Sequence, residues 1–264
     1  MSPDRLRACR LFVLDMDGTL YLGDEVFPGA VAFMEALRDA GRQFVYLTNN
    51  SSRAGIDYVN RLRRLGFPCT AENIFSSGMA TATYLLERHP GARVCLVGNA
   101  ALRRELESYG VAVSDGEADV VVAGFDTELV YEKLDRAVHF LRRGAPFVAC
   151  NPDWVCPMPA GEVLPDCGSI CALLTAASGV QPTYIGKPNR NILDILSQRS
   201  GVPNAEICCI GDRLYTDIAV AVNAGAVSAL VLSGETDRAL LARSDVQPDY
   251  VFEDVRELHS VLFR

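Results

Sequence analysis

The chain has 264 residues, 49% of them hydrophobic, so it can bury the core of one large domain or of two smaller ones. A net charge of -8 and a pI near 5.0 argue against a nucleic-acid or polyanionic-membrane surface, because phosphate backbones select clustered Lys and Arg. The short basic run Arg61, Arg63 and Arg64 falls in a helical pattern and reads as a solvated helix face.

The first residues, MSPDRLRACRLFVLD, carry too brief an apolar run for a signal peptide or a membrane span, which leads to the expectation of a cytoplasmic protein. Nine cysteines are scattered without a CxxC pair and read as buried thiols in a reducing compartment. In chain order, LFVLD reads as a buried strand and GAVAFMEALRDAG as an amphipathic helix closed by Gly. QFVYLT, NIFSSG, VCLVGN, VVVAGF, PFVAC, TYIGK, EICCIGD and SALVLSG follow as further strands, with helical patterns such as RNILDILSQRSG between them. Apolar strands alternating with helices predict an α/β fold with a mostly parallel sheet covered on both faces. In such folds ligands bind beyond the carboxyl ends of the strands. Two passages, LGFPCTAENIFSSG and SGVPNAEICCIGD, share one helix-to-strand connection. The proline-rich segment 144–168, with the only tryptophan, Trp154, reads as a largely irregular loop.

Four strand ends carry chemistry. In LFVLDMDGTL the apolar run ends in Asp15 and Asp17, two like charges whose proximity is tolerable only with a cation between them or a proton on one. YLTNNSSR places Thr48, Asn49 and Asn50 after a strand and before a helical pattern, a combination of hydroxyl, amide and free N–H groups suited to an anion. YIGKPN puts Lys187 beyond a strand, held extended by the proline that follows. ICCIGDRLYTDI ends a strand in Asp212 and Asp217. Taken singly, each has an ordinary reading: the aspartates as helix caps, Thr48 as an N-cap, Lys187 as solvated surface.

Together, and in this order, the four resemble the motifs of the haloacid dehalogenase superfamily of phosphotransferases over nearly the whole chain. DMDGTL resembles motif one, Thr48 motif two, Lys187 motif three and GDRLYTD motif four. TNNSSR, GFDTELVYEKL, NPD and GKPN are similar to the class IIA phosphatases, which include p-nitrophenyl phosphatases and phosphoglycolate and pyridoxal phosphate phosphatases. The resemblance implies a three-layer Rossmann-like core and a smaller α/β cap domain inserted between motifs two and three. The interval from Thr48 to Lys187 is far longer than two βα units require, so the core is expected over residues 1–89 and 182–264 and the cap over 90–181.

The resemblance further implies hydrolysis of small phosphate monoesters through an aspartyl phosphate on Asp15, with Asp17 as general acid and base. Mg2+ is implied on Asp15, the backbone carbonyl of Asp17 and Asp212, with Asp217 orienting waters or Lys187. Thr48 and Lys187 would bond phosphoryl oxygens, with Asn49 and Asn50 beside them. Asp153, Trp154 and Cys156 of the cap are the candidates for contact with the leaving group. The partner implied is a small phosphorylated metabolite, and relatives often pair through the cap, so a homodimer of that kind is an expectation. A phosphomutase and a non-catalytic phosphate-binding regulator are the alternatives on the same fold. Neither LVGNA nor CIGDR completes GxGxxG, which disfavours a dinucleotide site.

Overall fold

The structure is a computed structural model and describes residues 3–158 and 162–263. The chain divides into two compact units, Met1–Thr48, Ile56–Phe75 and Lys187–Arg264 forming the first, and Asn49–Gly55 with Ser76–Gly186 forming the second.

Following the chain, β1 (Leu11–Leu14) is fully buried and runs into a small hairpin of β2 (Tyr21–Leu22) and β3 (Glu25–Val26). The helix Ala30–Asp39 buries Ala30, Phe33, Met34 and Leu37, the i, i+3, i+4, i+7 stripe of a surface helix. β4 (Gln43–Thr48), the helix Gly55–Arg64 and β5 (Ile74–Ser76) follow. The second unit contains β6 (Arg93–Val97), β7 (Ala112–Val113), β8 (Val120–Ala123), β9 (Phe147–Ala149), β10 (Val155–Pro157), β11 (Val163–Pro165) and β12 (Thr183–Tyr184). The chain returns to the first unit with the helix Asn191–Ser200, β13 (Ile207–Gly211), β14 (Val227–Val231) and β15 (Tyr250–Phe252).

The first unit is built on a six-stranded sheet ordered β15-β14-β13-β1-β4-β5. Its central strands LFVL and ICCIG are buried at every residue, as expected for parallel strands covered on both faces. β1 pairs in parallel with β13 on one side, Leu14 opposite Ile210, and with β4 on the other, Leu14 opposite Tyr46. The strand order therefore reverses between β1 and β13, which opens a crevice at their carboxyl ends. The two look-alike connections do share one form: a short 3-10 turn, Ala71–Asn73 or Asn204–Glu206, leads into β5 or β13.

The second unit has its own five-stranded parallel sheet, β12-β9-β8-β6-β7, packed against helices over a core that includes Val97, Val121, Leu141, Phe147, Ile170 and Leu174. Helix Ser77–Arg88 lies in this unit with helix Ala100–Ser108 against it, so the unit begins before the residue 90 expected from the motif spacing. An apolar stripe marks a helix as buried without saying which neighbour buries it. The segment 144–168 also differs from the irregular loop expected. It contains β9, the antiparallel hairpin β10–β11, with Cys156 opposite Leu164, and the start of helix Cys167–Ser178. Pro146 precedes β9, and Pro157 and Pro165 end the two hairpin strands, where a missing N–H costs little. Pro159, Ala160 and Gly161 of this segment lie outside the described residues. The two-residue strands β2, β3 and β7, and the three-residue β15, are not among the strands expected from the sequence, because they are too short to show a period.

Candidate active site

The site of the first unit is assembled where the sheet reverses. Asp15 continues the ladder beyond β1, its N–H donating to the Ile210 carbonyl at 2.9 Å, so its side chain is fixed by sheet register. Asp212 follows β13 directly and is buried, as are Asp217 and Lys187. Asp217 sits on a wide π-helical turn, Leu214–Ile218, ahead of the helix Ala219–Ala224. Its Oδ2 accepts the Arg213 N–H at 3.2 Å. Gly211 has no side chain because a Cβ there would overlap the Asp217 side chain.

Lys187 is the electrostatic centre. Its Nζ donates to Asp15 Oδ1 at 2.6 Å and to Asp217 Oδ1 at 2.5 Å. Carboxylate oxygens of Asp15, Asp212 and Asp217 lie within 4.8 Å of one another. Burial pushes the Asp15 carboxyl up to about 8, with Asp217 and Asp212 adding to it and Lys187 opposing. Burial, then Asp217, pushes Asp212 up to about 6, against the Glu235 N–H, Arg213 and Thr19. For Lys187 burial favours the neutral amine, but Asp15 and Asp217 outweigh it and hold the ammonium above its ordinary range.

Thr48 ends β4, two residues beyond the Tyr46 that pairs with Leu14, and is buried. Asp17 is exposed on the turn after β1, bridged to Tyr21 at the root of the β2–β3 hairpin. Gly18 adopts φ +91°, a left-handed conformation, and a Cβ there would lie 2.9 Å from Asp212 Oδ1.

Several groups were missed in the sequence. Thr19 donates to Asp212 Oδ1 at 3.0 Å, and the Glu235 N–H donates to its Oδ2 at 2.8 Å. Ser233 donates its hydroxyl to the Gly18 carbonyl at 3.1 Å. Arg213 pairs with Glu235 at 2.9 Å. The available signal was the polar turn Ser233-Gly234-Glu235 after β14, a fifth strand end of the same design. Among the three basic helix residues, Arg64 is exposed as expected, but Arg61 is half-buried and faces the hairpin rather than solvent.

The remaining candidates lie in the second unit. Asn49 donates its amide to Asp153 Oδ2 at 2.9 Å, and Asn151 donates to the same oxygen at 2.9 Å. Asn50 accepts from the Ser52 N–H and hydroxyl at 2.8 and 2.7 Å. Trp154 is 65% exposed beside β10, and Cys156 lies half-buried in that strand.

Comparison with known proteins agrees with this architecture. A family model described as haloacid dehalogenase-like hydrolase matches residues 12–112, and one described as HAD-hydrolase-like matches 184–258. The 5'-nucleotidase YutF of Bacillus subtilis (strain 168) is 33% identical over 93% of this chain and 96% of its own length. The chain belongs to the haloacid dehalogenase-like hydrolases. Within them it groups with the class IIA phosphatases. The acid sugar phosphatase of Staphylococcus saprophyticus is 32% identical over 94% of this chain and 96% of its own. The crystal structure of 4-nitrophenylphosphatase from Thermotoga maritima superposes with a TM-score of 0.93 at 42% identity, covering 98% of this hydrolase and 99% of that chain. NagD from Escherichia coli K-12 gives 0.87 at 31% identity, with 94% and 98% covered.

Proposed function

We propose that this phosphatase hydrolyses small phosphorylated metabolites, sugar phosphates and nucleotides among them, through an aspartyl phosphate on Asp15. The observation that carries the reading is the pair of bonds from one buried ammonium, Lys187, to Asp15 and Asp217 at a sheet's reversal point. The relatives' names, 5'-nucleotidase, acid sugar phosphatase and 4-nitrophenylphosphatase, support the substrate class.

The donor set fits Mg2+. Asp15 and Asp212 resist ionisation chiefly because they are buried and secondarily because Asp217 lies beside both, a penalty that a cation would relieve, and hard oxygen donors suit a hard cation. Asp15, Asp212 and the Asp17 backbone carbonyl would hold the ion, with Asp217 steadying Lys187. When bound, Mg2+ supplies positive charge to the phosphoryl oxygens and favours the ionised carboxylates.

In the first step an Asp15 oxygen forms a bond to phosphorus as the bond to the ester oxygen breaks, and the Asp17 carboxyl gives that oxygen its proton. Asp17, now a carboxylate, takes a proton from water as the water oxygen bonds to phosphorus and the bond from the Asp15 oxygen to phosphorus breaks. Inorganic phosphate leaves, and both aspartates return to their starting states. Lys187 and the Thr48 hydroxyl donate to the phosphoryl oxygens as charge gathers there. Substrate binding is further assigned to Asn49 and Asn50, and selection of the leaving group to Asp153, Trp154 and Cys156. Trp154 is suited to that task by its exposed indole, whereas Asp153 is already engaged by two amides.

A reducing, cytoplasmic setting accounts for nine free cysteines, eight of them buried. No helix among the described residues is long and apolar enough to cross a membrane. A homodimer through the second unit would cover the exposed Val163 and Leu164 of the β10–β11 hairpin, and light scattering measures it. The deciding experiment is Asp15→Asn assayed with p-nitrophenyl phosphate and Mg2+. Abolished turnover with an unchanged circular dichroism spectrum is expected, and persistent hydrolysis would falsify the reading.

A further inference from the structure

We propose that Arg61 is a positioning residue for the acid–base carboxyl of Asp17, acting through the β2–β3 hairpin. This rests on the role given above to Asp17. The hairpin has only two residue pairs, Tyr21 with Val26 and Leu22 with Glu25, too few to hold its own shape in water. Yet Asp17 depends on it. Asp17 is bridged to Tyr21, and the neighbouring Gly18 N–H donates to the Tyr21 carbonyl at 2.8 Å.

One guanidinium links the hairpin's tip to its root. Arg61 Nη2 donates to the Gly23 carbonyl at the hairpin's tip at 2.6 Å, and Cζ lies 5.0 Å from the centroid of the buried Tyr21 ring. The same nitrogen is 3.9 Å from Asp24 Oδ1. Arg61 thus contacts both tip and root with one rigid, planar group, a combination of fork and stacking that lysine cannot reproduce. The arrangement is costly to the fold: Arg61 Nε and the Tyr21 hydroxyl are both buried without a hydrogen-bond partner among the described residues. Such costs persist where position matters more than stability. Proton delivery is a task of that kind, since a displacement of about 1 Å can cost about 10²-fold in rate.

The test uses leaving-group dependence. Nitrophenolate departs without a proton, whereas an alkoxide needs one, so a misplaced acid slows alkyl esters selectively. In Arg61→Ala, kcat/KM for glycerol phosphate should fall about tenfold to 10²-fold, with little change for p-nitrophenyl phosphate. Arg61→Lys should show the same selectivity to a lesser degree. Hydrogen exchange of amides 21–26 should accelerate in both. Arg64→Ala, which alters only an exposed pair with Asp24, serves as control and should leave both esters unaffected. Equal loss on the two esters, or unchanged rates in both Arg61 variants, overturns the proposal. If Arg61→Ala does not fold, Arg61→Lys decides. Asp17→Asn separates the two levels: without leaving-group selectivity in that variant the acid assignment itself fails, and with it there but absent from the Arg61 variants only the present inference fails.

Discussion

The hydroxyl of Thr19 donates a 3.0 Å hydrogen bond to Oδ1 of Asp212, tying the turn after β1 to the end of β13. Both residues are buried, and the bond favours the ionised carboxylate. Thr19→Val keeps the shape and removes the donor, so it should cost about 1.5–3 kcal/mol, the range for a hydrogen bond to a charged group, at pH 8. Asp212 titrates at about 6, and below that value the carboxyl is neutral and the loss should shrink. Urea unfolding at pH 8 and pH 5 measures the difference, and equal losses at both would argue against it.

Lys187→Met replaces a buried cation by an apolar chain and leaves Asp15 and Asp217 facing each other. Removing one partner of a buried pair costs about 3–5 kcal/mol. Asp15, already raised to about 8 with the lysine present, rises further without it, so protonation relieves the repulsion as the pH falls. Denaturant melts from pH 8 to pH 5 should show the destabilisation decreasing, alongside lost phosphatase activity at every pH.

Metal-free protein should become less stable as the pH rises. Asp15 and Asp212 have folded-state values of about 8 and about 6, above the ordinary 3.8, so the folded state binds more protons than the unfolded chain between these limits. Their contribution is fully present below about 4 and is lost through about 6 and about 8. Mg2+ requires the ionised forms, so the rise in Tm on adding it should be larger at pH 8 than at pH 6. Differential scanning fluorimetry with Mg2+ and with EDTA reads this, and a larger rise at pH 6 contradicts it.

Gly18→Ala places a Cβ 2.9 Å from Asp212 Oδ1 at φ +91°. The left-handed backbone alone costs about 1–2 kcal/mol, and the contact displaces the Asp212 carboxylate. A fall in Tm of about 2–8 °C is expected, together with weaker retention of Mg2+ by isothermal titration calorimetry.

Trp154→Ala should leave stability within about 0.5 kcal/mol, because the indole is exposed. If the side chain contacts the leaving group, the ranking of kcat/KM across a panel of phosphate monoesters changes while Tm does not. An unchanged ranking removes Trp154 from substrate selection.

The run of residue types along the chain determined the alternation of strands and helices and the identity of the charged groups at the strand ends. LFVL and ICCIG are apolar throughout because both faces of a parallel strand are covered, and Asp15, Lys187, Asp212 and Asp217 stand out against them because burying charge there is costly. Only the tertiary structure decided which of these groups meet. Strand order is set by packing between distant segments, so no local pattern reveals that β1 and β13 are neighbours or that Thr19 reaches Asp212. Backbone donors such as the Glu235 N–H have no side-chain signature, and Arg61 looks like any solvated helix residue until the hairpin folds against it. The chemistry was written locally, in residue types whose burial needs a reason, whereas its geometry follows from long-range register, which a one-dimensional pattern does not encode.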